Sequence, residues 1–242
     1  MKVSRSEIFD HEVFTLSRSM GSGSDRVVIY HTGGGETARV LADPANEKRK
    51  IFEALTSAGY LVAAVTSSTD HWGSPRSIRA HDILYDRIAS GVGDGRIAIL
   101  CQSMGGLSAY SWTCRHPERV LGIYGIYPVT NLDSMIRGKL GNTIEGVYSQ
   151  QGINIHDALC EFDPIRQIES AGISGIPAKH RHGDSDLLVR YKENAIDFAR
   201  VYRDRGGSLD LMTIRGLGHE ANPAFLDPDE VVDFVNSLGW GR

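Results

Sequence analysis

The chain has 242 residues, 41% of them hydrophobic and 23% charged, with a formal net charge of −4. That length supports one substantial core, and the mild acidity gives no basic footprint for nucleic acid. No run approaches the roughly 18 apolar residues of a membrane span, and Met1 to Phe14 lacks the apolar segment of a signal peptide. The three cysteines, Cys101, Cys114 and Cys160, are odd in number and lack metal-ligand spacing. This argues against a disulfide framework and points to a reducing, cytoplasmic setting.

Glu7 to Leu16 reads as one or two opening strands, and Ser17 to Asp25 as a polar, glycine-rich turn. Arg26 to His31 is a continuous apolar run, as expected of a strand covered on both faces. It ends in Thr32-Gly33-Gly34-Gly35. Asp43-Pro44 predicts a helix start, with Asp43 as N-cap and an apolar face of Ile51, Phe52, Leu55 and Ala58, stopped by Gly59. Tyr60 to Val65 is the next strand, and a loop carrying His71 and Trp72 follows. Ser74-Pro75 opens a second helix, which ends by Gly91 to Gly95. Arg96 to Leu100 is a buried strand, Cys101 to Gly106 a tight turn around Ser103, and Leu107 to Cys114 a helix. Val120 to Ile126 is again apolar.

From Tyr127 to about Gly175 the alternation breaks. A connection of that length is expected to be functional or to carry its own helices. The alternation resumes with a strand at Ile176 to His182, a helix at Arg190 to Arg205, a strand at Ser208 to Ile214 and a closing helix at Pro228 to Leu238. Strands alternating with helices predict an α/β fold: a mostly parallel sheet with helices on both faces, in one domain spanning 1–242 with an insertion near 128–175.

Ligands of such sheets bind at the C-terminal ends of the strands. The polar candidates fall there in succession: His31 to Gly35, His71 and Trp72, Ser103, His182-Gly183-Asp184-Ser185-Asp186, and Gly216 to Glu220. Ser103 sits on a strand-to-helix turn that resembles G-x-S-x-G, with Gly105 in the last position and Cys101, read as packing, in place of the first glycine. A serine hydroxyl needs a base, and the base needs an orienting carboxylate. His219, in a glycine-flanked loop, is the candidate base. The carboxylate is Asp184 or Asp186. The N–H of Met104 and one from the glycine loop are candidate donors to an oxyanion.

Together these residues resemble the α/β-hydrolase family. The likeness rests on His31-Thr32-Gly33-Gly34-Gly35, Ser103-Met104-Gly105-Gly106, His182 to Val189 in the form H-G-x-x-D-x-x-V, and Gly218-His219, with Ser, Asp and His in the family's order. The resemblance covers about Arg26 to Leu238. It includes features of the dienelactone-hydrolase-like and peptidase-like branches, and it implies Asp186 as the acid. The glycine loop looks like the H-G-G-G oxyanion loop of esterases with Thr32 inserted, which favours Gly34, then Gly35, as the donor.

The insertion stands where this family often places its cap. Tyr127, Tyr148 and Phe162 are candidate wall residues there, each also readable as local packing. His71 and Trp72 are candidates for the opposite wall. The expected activity is cleavage of a carboxylic ester of a small soluble substrate through an acyl-enzyme. No cofactor is implied, and no metal, nucleic-acid or membrane partner. Peptide or amide cleavage by the same groups is one alternative. A binding protein without turnover is another.

Overall fold

The computed structural model describes residues 1–18, 25–89, 91 and 93–241. Eight strands form one sheet: β1 (Lys2–Ile8), β2 (His11–Ser17), β3 (Val27–His31), β4 (Leu61–Thr66), β5 (Ile97–Gln102), β6 (Val120–Ile126), β7 (Pro177–Gly183) and β8 (Ser208–Ile214). Their spatial order is β1-β2-β4-β3-β5-β6-β7-β8. The β1–β2 and β2–β4 pairs are antiparallel, and β3 onward is parallel.

The pattern of burial follows from these neighbours. β3, β5 and β6 lie between other strands under helices on both faces, and every residue in them is buried. β1 forms an exposed edge, its central residues open to solvent and its polar side chains suited to that position. Alternate residues feed opposite cores. Val27, Ile29, Ile99 and Cys101 pack with Tyr110 and Trp112 on one face. Val28, Tyr30, Ala98 and Leu100 pack with Phe52, Leu55 and Val235 on the other.

The first helix, α1, covers Arg49–Ser57, later than Asp43-Pro44 implied. Side-chain-to-backbone turns compete with the helix there. Asp43 Oδ1 accepts from the Ala45 N–H at 2.9 Å, and Asn46 Oδ1 from the Lys48 N–H at 3.0 Å. The looped segment seats Lys48 inside the protein, where its ammonium meets Glu36 at 2.7 Å and Glu47 at 3.2 Å. Gly59, at φ +93°, terminates the helix as its sequence position suggested. Next come α2 (Pro75–Ala89) and α3 (Gly105–Arg115), the latter starting two residues earlier than expected. Most of the Ser17–Asp25 turn and part of the stretch after α2 lie outside the described residues.

The 128–175 stretch contains α4 (Leu132–Ile136), α5 (Gly141–Ser149), α6 (Leu159–Phe162) and α7 (Pro164–Gln167). They build a third apolar cluster over the N-terminal end of α3, joining Leu132, Ile144, Tyr148 and Phe162 to Trp72, Met104 and Leu107. The helix expected at Arg190 begins as a π-turn, Lys192–Ile196, before α8 (Asp197–Asp204). Buried Asn194, in that turn, accepts from the Thr130 and Asn131 N–H groups, both at 3.0 Å, and so ties the start of the 128–175 stretch to this helix. The closing helix α9 (Pro228–Asn236) is capped by Asp227. No helix among the described residues is long and apolar enough to cross a membrane.

Candidate active site

Ser103 turns the chain from β5 into α3 with φ +47°, a region that residues with a Cβ seldom occupy. Neighbouring backbone holds it there. Its N–H donates to the Ile126 carbonyl at 3.0 Å, and its carbonyl accepts from Gly106 at 2.9 Å and Val129 at 2.8 Å. The two glycines allow the close approach. A Cβ on Gly105 would stand 2.2 Å from the His31 carbonyl oxygen, and one on Gly106 2.5 Å from that of Val129. Cys101, in the place of the usual first glycine, is fully buried on the α3 face of the sheet, and that burial pushes its thiol pKa up.

His219 arrives on the loop after β8. Gly183 lets this loop lie against the end of β7, since a Cβ there would come within 2.2 Å of the Leu217 carbonyl oxygen. Asp184 Oδ1 accepts from the Gly216 N–H at 2.7 Å, so this aspartate ties the two loops together. Asp186 is the carboxylate that reaches the histidine, with Oδ2 at 2.7 Å from His219 Nδ1. His219 Nε2 lies 2.8 Å from Ser103 Oγ. A carboxylate only accepts, so Nδ1 carries the proton, and Nε2 of a neutral ring offers its lone pair to the serine hydroxyl.

Asp186 is buried, which alone would raise its pKa. Hydrogen bonds from His182 and His219 outweigh that and hold it at about 2. Its Oδ1 accepts from the Leu188 N–H at 3.0 Å and the Val189 N–H at 2.8 Å. His182 Nε2 sits 2.9 Å from the Val189 carbonyl and 3.3 Å from Asp186 Oδ2. Both are acceptors, so this nitrogen is a donor shared between them.

In the glycine loop, the Gly33 N–H donates to Glu36 Oε2 at 2.9 Å and the Gly35 N–H to the Thr69 carbonyl at 2.9 Å. Among the described residues the N–H groups of Gly34 and Met104 have no hydrogen-bond partner. Gly34 also lines the pocket that contains Ser103; Gly35 does not.

That pocket holds about 420 Å³, room for a small molecule. Trp72 and Tyr127 are among the residues that line it. The Tyr127 ring meets the His219 ring edge-to-face at 4.5 Å. His71 differs from the expectation: it lies beneath the wall and is not among the lining residues. Its Nε2 bonds the Thr32 carbonyl at 3.2 Å, and its Nδ1 accepts from the Gly73 N–H at 3.2 Å, so it braces the glycine loop. Burial lowers its pKa to about 4. Tyr148 and Phe162 pack against one another inside the 128–175 stretch, and the Tyr148 hydroxyl donates to the Trp72 carbonyl at 2.9 Å.

The described non-glycine residues with positive φ are Phe9, Asp10, Trp72, Ser103 and Tyr127. The first two form the β1–β2 turn, and the other three all line this pocket. Strain of this kind costs about 1–3 kcal/mol per residue and concentrates at functional sites.

Residues that sequence reasoning passed over add to the lining, notably Gln102, Glu36, Glu47 and Leu140, beside Glu220 from the expected Gly216 to Glu220 stretch. Gln102 Nε2 donates to the Tyr127 hydroxyl at 2.5 Å and to Glu47 Oε1 at 3.1 Å. Its position before Ser103 at a strand end was the one available signal. Among the described residues, no group of three or more His, Cys, Asp or Glu side chains is placed to hold a metal ion.

No family model matches the chain, and no curated protein matches it by sequence. Solved structures do. The chain superposes on Est1E from Butyrivibrio proteoclasticus with a TM-score of 0.69 at 16% identity, covering 97% of each chain. The chain has the α/β-hydrolase fold. Further superpositions on this fold are with a dipeptidyl aminopeptidase IV-type chain from Bacteroides ovatus (TM-score 0.79, 14% identity) and a puromycin-hydrolyzing peptidase of Mycobacterium tuberculosis (TM-score 0.71, 14% identity). These cover 98% and 97% of the present chain but only 36% and 38% of the two peptidase chains. The antiparallel β1–β2 hairpin, the parallel strands β3 to β8 and the serine turn between β5 and α3 are thus elements of an α/β-hydrolase sheet.

Proposed function

We propose that the protein is a serine hydrolase that cleaves a carboxylic ester of a small substrate through an acyl-enzyme. One observation carries the reading. Ser103 Oγ, His219 Nε2 and Nδ1, and Asp186 Oδ2 form a continuous chain of contacts at 2.8 and 2.7 Å, beside two unpartnered backbone N–H groups in one pocket.

In this mechanism Ser103 Oγ attacks the ester carbonyl carbon while its proton passes to His219 Nε2. Asp186 keeps the Nδ1 proton in place and stabilises the imidazolium as it forms. The carbonyl oxygen gains charge and is received by the N–H groups of Met104 and Gly34, which have no bonds to break first. Preorganised donors of this type contribute about 10²–10³ in rate apiece. The imidazolium then gives its proton to the departing alcohol. Water, deprotonated by His219, attacks the acyl-serine, and Ser103 recovers its proton. Tyr127 supports the imidazole edge-on, and His71 and Glu36 hold the glycine loop so that Gly34 is the member left free.

A chain described as a ferulic acid esterase matches over 97% of both chains at 16% identity, which supports an ester over a peptide substrate. The test is hydrolysis of short and long p-nitrophenyl esters, and of the matching anilides, by the wild type and by Ser103→Ala. Ester turnover that disappears in the variant supports the reading. Equal rates in both proteins overturn it, and faster anilide than ester cleavage moves the assignment to an amidase.

A further inference from the structure

The wall of the Ser103 pocket is unevenly charged. Glu36, Glu47, Asp70 and Glu220 line it, and among the described residues no lysine or arginine does. The cation Lys48 lies behind the wall, 1% exposed, and is engaged by Glu36 Oε1 and Glu47 Oε1. Four carboxylates against one ammonium leave three negative charges around one small cavity, in a protein whose whole formal charge is −4.

The carboxylates are not equivalent. Both oxygens of Glu36 are used internally, by Lys48 on one side and by the Tyr30 hydroxyl and Gly33 N–H on the other. Glu47 Oε1 is likewise occupied, by Lys48 and Gln102. Glu47 Oε2 and the carboxylates of Asp70 and Glu220 have no partner among the described residues. Trp72 lines the same pocket, more than nine-tenths buried, so the cavity also has an aromatic wall; its indole N–H is enclosed in the protein and does not open on the cavity. Tyr127 supplies a second aromatic face. The basic side chains Lys139 and Arg190 line a separate groove beyond Leu140 and Leu188.

This charge would oppose the proposed chemistry if the substrate were neutral, because acyl transfer places a new negative charge on the carbonyl oxygen in the same cavity. A substrate that brings a positive charge removes the conflict. It satisfies the carboxylates on binding and offsets them as the oxyanion forms. Carboxylate acceptors and aromatic faces together suit an N–H-bearing ammonium.

We propose that the pocket selects small esters bearing a primary ammonium group, held by Glu47, Asp70 and Glu220 against Trp72. The inference rests on the serine-hydrolase reading, and its test separates the two. Matched p-nitrophenyl alkanoates whose acyl chain ends in ammonium, methyl or carboxylate differ in charge while nearly conserving shape. A parallel series of acetate esters carries the same three ends on the alcohol. Turnover of the methyl-ended esters, abolished by Ser103→Ala, tests the hydrolase reading alone.

The ratio of kcat/KM for ammonium-ended over methyl-ended esters tests the pocket. We expect a ratio of about tenfold or more at low ionic strength in at least one series, falling toward unity as salt screens the charges. Carboxylate-ended esters should be slowest. Glu47→Gln and Glu220→Gln should each lower the ratio about threefold. Equal rates for ammonium and methyl ends in both series, or a ratio that neither variant changes, overturns the proposal. If no ester is turned over, saturation-transfer NMR of propylammonium on the wild type, Glu47→Gln and Glu220→Gln decides: binding lost in the variants supports the cation site, and no binding to the wild type overturns it.

Discussion

Lowering the pH from 7.5 to 5 should strip the fold of several kcal/mol of stability through histidines buried as neutral rings. His31 and His81 stack at 3.7 Å beneath the glycine loop, with His71 beside them, and His180 is enclosed against Tyr110. Burial, the largest cause in each case, lowers the pKa of His71 to about 4 and of His81 and His180 to about 3, and drives His31 down as well. In the unfolded chain a histidine takes up a proton near pH 6.5. Below that value the unfolded state binds more protons than the folded one, so stability is complete above about pH 6.5 and is lost as the pH falls toward 4 and then 3.

At pH 5 each of His71, His81 and His180 costs about 2 kcal/mol relative to pH 7.5, roughly 6 kcal/mol for the three. Asp163 works in the opposite direction. Burial lifts its pKa to about 6, so it favours the folded state at low pH and returns about 1.4 kcal/mol at pH 5. The net loss, between 4 and 5 kcal/mol to order of magnitude, is a large share of a typical domain's 5–15. Urea unfolding at pH 7.5, 6.5, 6 and 5 measures it. A flat unfolding free energy across that range, or imidazole NMR titrations of these four rings near pH 6.5, would refute the reasoning.

Three further outcomes follow from the geometry at the serine. Ser103→Gly should be more stable than Ser103→Ala by about 1 kcal/mol, because glycine relieves the φ of +47° while both variants lose the hydroxyl. For a chain of this size that is a melting difference of about 2–4 °C, read by calorimetry, with equal melting points as the contrary result. Gly105→Ala should destabilise by about 1–3 kcal/mol, through a Cβ placed 2.2 Å from the His31 oxygen, and should lower esterase activity by displacing the glycine loop. A variant as stable and active as wild type would show that the turn can relax. In Asp186→Asn the side-chain oxygen must stay on the Leu188 and Val189 N–H groups. That points an amide donor at His219 Nδ1 and forces the wrong tautomer, so kcat should fall on the order of 10⁴ with the fold retained. A loss below tenfold would remove Asp186 from the mechanism.

The alternation of buried runs with amphipathic stretches made the parallel sheet legible, because strands such as Val27–His31 carry apolar side chains toward both faces. Ser103, Asp186 and His219 were legible for a related reason. Each follows a strand, and glycines mark where backbone must pass close to backbone, as at Gly105 and Gly183. The resemblance to α/β-hydrolases chose Asp186, and geometry gives Asp184 its own task at Gly216. The late start of α1 was hidden because local turns at Asp43 and Asn46 compete with the helix, and the interior seat of Lys48 depends on Glu36 being nearby in space. The same non-local chemistry concealed Glu36, Glu47 and Gln102 as pocket residues. His71 looked like a wall residue because sequence gives its loop but not the direction of its ring.

The account rests on Ser103 being a nucleophile activated by His219. An active-site-directed fluorophosphonate, followed by mass spectrometry of the digested protein, tests this most directly. The account predicts one phosphonyl adduct, on the peptide containing Ser103, formed at least about a hundredfold more slowly in His219→Ala and absent in Ser103→Ala. A wild-type protein that remains unlabelled, or an adduct that persists in Ser103→Ala, would contradict it.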